Sequence, residues 1–286
     1  MKDSSRQMDQ TSDTREWGES DGLQFFGRHL VAICVTYRLV SASKQEALSF
    51  AAYNGTLIDI AGSTCFVTAG HVLADLKDKL ADDRIEVIDV VLADTFAQGR
   101  VTDNPIPFDV RNEPFYIVDD DEQGLDFGAI PLRPYYTNLL AKNGTVALDE
   151  ERWIHQHRVC FDGYAMLGLP QEFTSPAIDA SGNGAVSPTM FRVLRHETLP
   201  PGTRQTTYPR FVGEIDDGLQ ISSVVGMSGG PIFGFRIEGE KRVRYWVVAL
   251  QSAWLPSRRI IFGCPLPTLA PLLRDLMAGV PPSDVA

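Results

Sequence analysis

The 286-residue sequence has no surplus of positive charge: 26 lysines and arginines stand against 37 aspartates and glutamates, a formal net charge of -11. A phosphate-binding surface needs a Lys/Arg excess, so nucleic acid is excluded as an expected partner. Long hydrophobic runs are also missing. No stretch approaches the roughly 18 apolar residues of a membrane span, and the opening MKDSSRQMDQTSDTREWGESDG holds no apolar segment of the secretory type. The expected setting is therefore the cytosol, without membrane partners. Cysteine is sparse, with Cys34, Cys65, Cys160 and Cys264 far apart and no C-x-x-C or zinc-like His/Cys spacing. These are expected to be buried free thiols in a reducing compartment, and no metal or cofactor is expected.

What is present is ordinary for a folded chain. A hydrophobic content of 44% is enough for a real core in one large domain or two small ones. Residues 1–21 are polar and aperiodic and read as a disordered tail. From Leu23 onward, short β-branched runs such as HLVAICVTYRLV, STCFVTAG, DFGAIPL and RVRYWVVALQSAW alternate with Gly, Pro, Asn and Asp clusters. That spacing reads as an all-β sandwich or barrel. Helical patterns are confined to VLADLKDKL, the stretch from Tyr135 to Ala141, and TLAPLLRDLMAGV, whose Leu269, Leu272, Leu273, Leu276 and Met277 form one stripe. The stripe is expected to pack on the second half of the molecule. Between Tyr135 and Trp153 the strand pattern lapses, which marks a connector between two six-stranded halves, 22–140 and 141–286.

The most informative hexapeptide is GMSGGP, Gly226 to Pro231. A serine among glycines suits a nucleophile on a tight turn, because residues without Cβ let a carbonyl approach and let backbone N–H groups face it. The amides of Gly226 and Ser228 would then form an oxyanion hole. GMSGG also fits the G-x-S-x-G elbow of α/β hydrolases, but that arrangement needs a histidine after the serine and a helix after the motif. Here the last histidine is His196, and PIFGFRIE reads as a strand. A His-Asp-Ser order remains. His71, in CFVTAGHVL, ends a strand-like run at a small-residue turn and can act as a base near neutral pH. His29, His155, His157 and His196 have no comparable setting. Asp126, in GLDFGAIPL, sits at the mouth of an apolar strand where its carboxylate can orient an imidazole, ahead of the competitors Asp59, Asp75 and Asp109.

In this order TAGHV, DFGAI and GMSGGP resemble the three signature segments of the chymotrypsin-like serine peptidases. The resemblance runs from about Phe25 through the C-terminal helical stretch. It implies two six-stranded antiparallel Greek-key β-barrels with a C-terminal α-helix, and a site in the cleft between them. It also implies that Ser252 and Ala253, in VVALQSAW, flank the first specificity pocket, and that Ser222 stands at the pocket floor. With no Asp at that floor, a demand for Lys or Arg is not expected.

Two departures from the family bear on control. Met227 precedes the serine where secreted digestive members carry an Asp that pairs with a new amino terminus, and Val72 follows the histidine where they have a Cys. A zymogen latch is therefore not expected, and another control would have to replace it, such as a regulatory protein partner, a ligand-driven ordering of the oxyanion loop or strict substrate choice. The acidic run Asp119, Asp120, Asp121 and Glu122 reads as a solvated loop. The expected activity is that of a serine endopeptidase acting on polypeptides. The rivals are an esterase on the same fold and a catalytically silent module that binds peptides or proteins.

Overall fold

The computed structural model describes residues 19–41, 48–94, 96, 104–154, 159–174, 186–216, 221–238 and 242–279. The expected tail therefore lies largely outside the described residues, but not wholly. A helix, α1 (Glu19–Gly27), takes in the last three residues of the expected tail and buries Phe26.

The β-branched runs form two antiparallel sheets. The first comprises β1 (Leu30–Leu39), β2 (Ser49–Ile60), β3 (Ser63–Thr68), β4 (Ile85–Ala93), β5 (Ile106–Pro107), β6 (Tyr116–Asp120) and β7 (Leu125–Pro131), in the order β5-β4-β1-β2-β3-β7-β6. The second comprises β8 (Gly163–Gly168), β9 (Thr189–Arg195), β10 (Phe211–Ile215), β11 (Pro231–Glu238), β12 (Arg242–Leu255) and β13 (Ile260–Pro265), closed as β10-β13-β12-β11-β8-β9. The barrel has the six strands expected of each half. Among the described residues the first sheet has a seventh, the two-residue β5, paired there with β4 alone. Pro107 has no N–H to continue a ladder, so β5 ends this sheet at an edge.

The three anticipated helices are present as α2 (Gly70–Ala81), α3 (Pro134–Lys142) and α4 (Leu266–Met277). In α2 the buried Leu73, Leu76 and Leu80 follow the helical period, which fixes the face it turns to the sheet. The α4 stripe packs against β12 and β13 as expected, and also against β2 and β7 of the first sheet. One apolar cluster consequently joins the halves: Val67 and Phe127 from the first sheet, Phe233 and Val247 from the barrel, and Leu269 and Leu273 from α4. The chain between the sheets is not featureless, for Leu148 forms a parallel bridge with Ile58. No described helix is long and apolar enough to cross a membrane. All four cysteines are free thiols; Cys34, Cys65 and Cys264 are buried as expected, whereas Cys160 is exposed.

Candidate active site

His71 is the second residue of α2, immediately after β3, so the strand end and the helix start fix its backbone. Ala69, at the N-cap, offers no side chain to the orphan amides of the first turn. Asp126 on β7 supplies the missing acceptor. Its Oδ1 takes the His71 backbone N–H at 3.0 Å, and its Oδ2 lies 2.7 Å from His71 Nδ1. Both carboxylate oxygens are thus committed to one residue, which locks the imidazole's orientation. The carboxylate's demand for a donor puts the proton on Nδ1 and leaves Nε2 as the ring's acceptor.

The pair is graded in exposure: the Asp126 side chain is 14% accessible and that of His71 43%. The Asp126 hydrogen bond raises the His71 pKa above 6.5 against the opposing effect of burial, with Asp126, Asp119 and Asp121 adding attraction for the charged form. The acidic run is therefore more than a remote loop, since two of its members act on the imidazole. Asp119, opposite Asp126 in the β6–β7 ladder, has its own pKa raised by burial and then by Asp126.

Ser228 sits, half-buried, in the turn that leads into β11. The preceding residues form a β-turn closed by Met227 N–H to the Val224 carbonyl at 3.0 Å, with Gly226 at φ +88° and Val225 outside the positive-φ region. Positive φ at the third position alone defines a type II turn, which is why Gly stands there. At Gly229 the reason is close approach as well as φ, here +84°. A Cβ would overlap the Thr68 hydroxyl and come within 2.7 Å of the Asn54 carbonyl.

The carbonyl sides of two peptides in this loop are anchored. Val225 O accepts the Gln171 N–H at 2.8 Å; Met227 O accepts Gly230 N–H at 2.9 Å and the Asn54 side-chain amide at 3.1 Å. Across a trans peptide the N–H points opposite to the C=O. The amides of Gly226 and Ser228 therefore face the other way, and neither donates a hydrogen bond within the described residues. Met227 is fully buried in the barrel core and seats the turn as an apolar plug.

His71, Gly226, Ser228, Ser252 and Ala253 line one cleft of about 600 Å³ between the two sheets. Asp126 lies behind His71, outside that lining. Ser222 is also outside it: its N–H and hydroxyl are both directed to the Glu172 carboxylate on the exposed surface. The structure thus brings the three signature segments together and leaves the expected floor residue apart. The cleft's other walls include Tyr53 and Asp75 from the first half and Leu169 and Trp254 from the second.

The competing acids are engaged elsewhere. Asp75 accepts the Tyr53 hydroxyl at 2.8 Å, Asp59 the Thr64 hydroxyl at 2.6 Å, and Asp109 the Asn112 amide at 2.8 Å. Of the other histidines, His29 is buried between the Val146 carbonyl and the Tyr245 hydroxyl, and burial lowers its pKa to about 3. His196 meets Glu214 at 2.8 Å, and His155 and His157 lie outside the described residues. Asn54 and Gln171, which aim the loop, were not singled out from the sequence. Gln171 acts through its main chain, and Asn54 stands before Gly55 within a strand, so neither carries a local motif that points to the nucleophile loop.

No family model and no curated protein matches the sequence. Among solved structures, the chain is similar to an inactive serine-to-alanine form of Rv3671c from M. tuberculosis H37Rv, at 14% identity over 90% of both chains and a TM-score of 0.40. It is similar to a Glu endopeptidase in complex with MPD at 13% identity, covering 86% of this chain and 90% of that one, with a TM-score of 0.42. A third likeness is to an inactive Murine Norovirus NS6 protease at 12% identity, covering 74% and 88%, with a TM-score of 0.32.

Proposed function

We propose that the protein is a serine endopeptidase of the chymotrypsin-like kind, with Ser228 as nucleophile, His71 as general base and acid, and Asp126 as its orienting carboxylate. The observation that carries this reading is the doubly hydrogen-bonded His71–Asp126 pair, facing a cleft that Ser228 shares. Ser228 Oγ attacks the peptide carbonyl carbon while its proton passes to His71 Nε2. The carbonyl oxygen, now negative, is received by the unspent N–H groups of Gly226 and Ser228. Collapse of the adduct breaks the C–N bond, and His71 returns the proton to the departing amine. Water then repeats the sequence on the acyl-enzyme, giving the acid and the free serine.

Residues 22–140 and 141–286 act in this reading as two domains that share the site, with Ser252 and Ala253 beside the bound chain. The seating of Met227 supports an enzyme that needs no proteolytic latch. The free thiols support a cytosolic location.

The test is covalent labelling of purified protein by a fluorophosphonate, beside Ser228→Ala and His71→Ala. Labelling of the wild type that vanishes in both variants is the expected result. A folded wild type that does not label sinks the reading and favours a silent binding module.

A further inference from the structure

We infer that the backbone amide of Gln171 is a positioning latch that keeps the oxyanion hole open, an inference that rests on the acyl-transfer reading above. The hole requires the Gly226 N–H to face the cleft. The Val225–Gly226 peptide is the central peptide of a type II turn, and such a peptide can rotate to the type I arrangement by changing only the angles on either side of it, without moving the flanking chain. Glycine accepts both arrangements. In the rotated form the Val225 carbonyl would replace the Gly226 N–H and meet an oxyanion with like charge.

The Val225 side chain does not hold the peptide in place, for it is 55% exposed. The contact that does is Gln171 N–H to Val225 O at 2.8 Å. The short helical turn Gln171–Phe173 that carries this amide is set close against the loop: a Cβ on Gly226 would come within 2.8 Å of Leu169 O and 2.9 Å of Gln171 N. The same turn grips the loop at a second point, where the Glu172 carboxylate accepts both the N–H, at 3.1 Å, and the hydroxyl of Ser222. Ser222 is thus a handle on the nucleophile loop, and one three-residue turn sets the orientation of the hole.

A single substitution isolates the latch. Gln171→Pro replaces that N–H by a ring Cδ, which cannot sit at hydrogen-bond distance from Val225 O and so expels the carbonyl from the latch; the first position of a helical turn otherwise accepts proline. The preceding Pro170 already has φ -61° and ψ 135°, the extended conformation that a following proline demands. Gln171→Ala, which loses the same side chain but keeps the amide, is the reference.

With a fluorophosphonate probe, Gln171→Pro is expected to lower kinact at least about three- to tenfold below Gln171→Ala, the range of one net hydrogen bond, with KI unchanged. Should Gln171→Pro melt early, Glu172→Ala carries the test, with a fall in kinact of roughly twofold or more expected at an unchanged midpoint. Equal kinact for Gln171→Pro and Gln171→Ala, in a protein whose wild type labels, overturns the latch alone. Failure of the wild type to label overturns the acyl-transfer reading and the latch with it.

Discussion

Asn54→Asp replaces one atom group in a side chain that ties the first sheet to the nucleophile loop. Asn54 is 1% exposed, and its amide nitrogen donates to Met227 O at 3.1 Å, on the peptide whose other end is the Ser228 N–H. An aspartate there keeps the shape, but it can donate to the carbonyl only while protonated. Ionised, it sets a buried negative oxygen against another acceptor.

Burial and the loss of that hydrogen bond both raise the folded-state pKa, and a shift of about two to three units from 3.9 is modest for a fully buried carboxyl. Below about pH 4 both states hold the proton, so the variant matches the wild type. As pH rises, the unfolded chain releases its proton and the folded one does not. Stability relative to wild type then falls by about 1.4 kcal/mol per pH unit, levelling off near pH 6 to 7 at a deficit of about 3 to 4 kcal/mol. Urea unfolding from pH 4 to 8, in a Ser228→Ala background to prevent self-digestion, measures the difference directly. A deficit that does not change with pH, or one under about 1 kcal/mol at pH 7, would refute the assignment of Asn54 as a buried donor.

Labelling by the fluorophosphonate should follow the neutral form of His71, failing as pH drops through a pKa above 6.5; an inflection at or below 6.5 would contradict the Asp126 pairing. Asp126→Asn should move that inflection down and lower the plateau rate by about 10⁴-fold. The same raised pKa stabilises the fold most below about pH 6.5 and ceases to do so as pH rises through the folded value, so the pair favours stability and activity on opposite sides of its titration. Gly229→Ala should cost about 1–2 kcal/mol for its left-handed backbone, with more from the overlap with Thr68; an unfolding midpoint like that of the wild type would refute the close approach.

The reach of sequence reasoning here follows from which interactions leave local marks. His71 and Asp126 stand at ends of apolar strands, and Ser228 stands among glycines that its turn demands, so their neighbourhoods advertise them. Burial periodicity likewise exposed α2 and α4. Asn54-Gly55 gives the opposite signal, because such a pair usually marks a hairpin turn. In the structure it lies inside the continuous strand β2, where a Cβ on Gly55 would strike the Phe66 ring. Gln171 acts through an amide that every residue but proline possesses, so no letter of the sequence can reveal it. Ser222 was placed by resemblance alone, and the long-range partner that takes its hydroxyl, Glu172, leaves no trace in the residues around it. The helix α1 escaped notice because nine residues are too few to stand without tertiary support.

That support fixes an order of assembly. Phe26 of α1 packs on the rings of Phe233 and Tyr245 at centroid distances of 4.9 Å each, and Arg28 donates to the Tyr245 hydroxyl from 217 residues away. A ribosome that has released the whole first sheet has not yet made the strands that receive Phe26. The earliest described segment must therefore wait, exposed, until β11 and β12 emerge, and loop closure over such a distance slows folding. Truncation before β8 should leave the first half with an aromatic helix and no place to put it, a species that invites chaperones and aggregation rather than a free-standing domain.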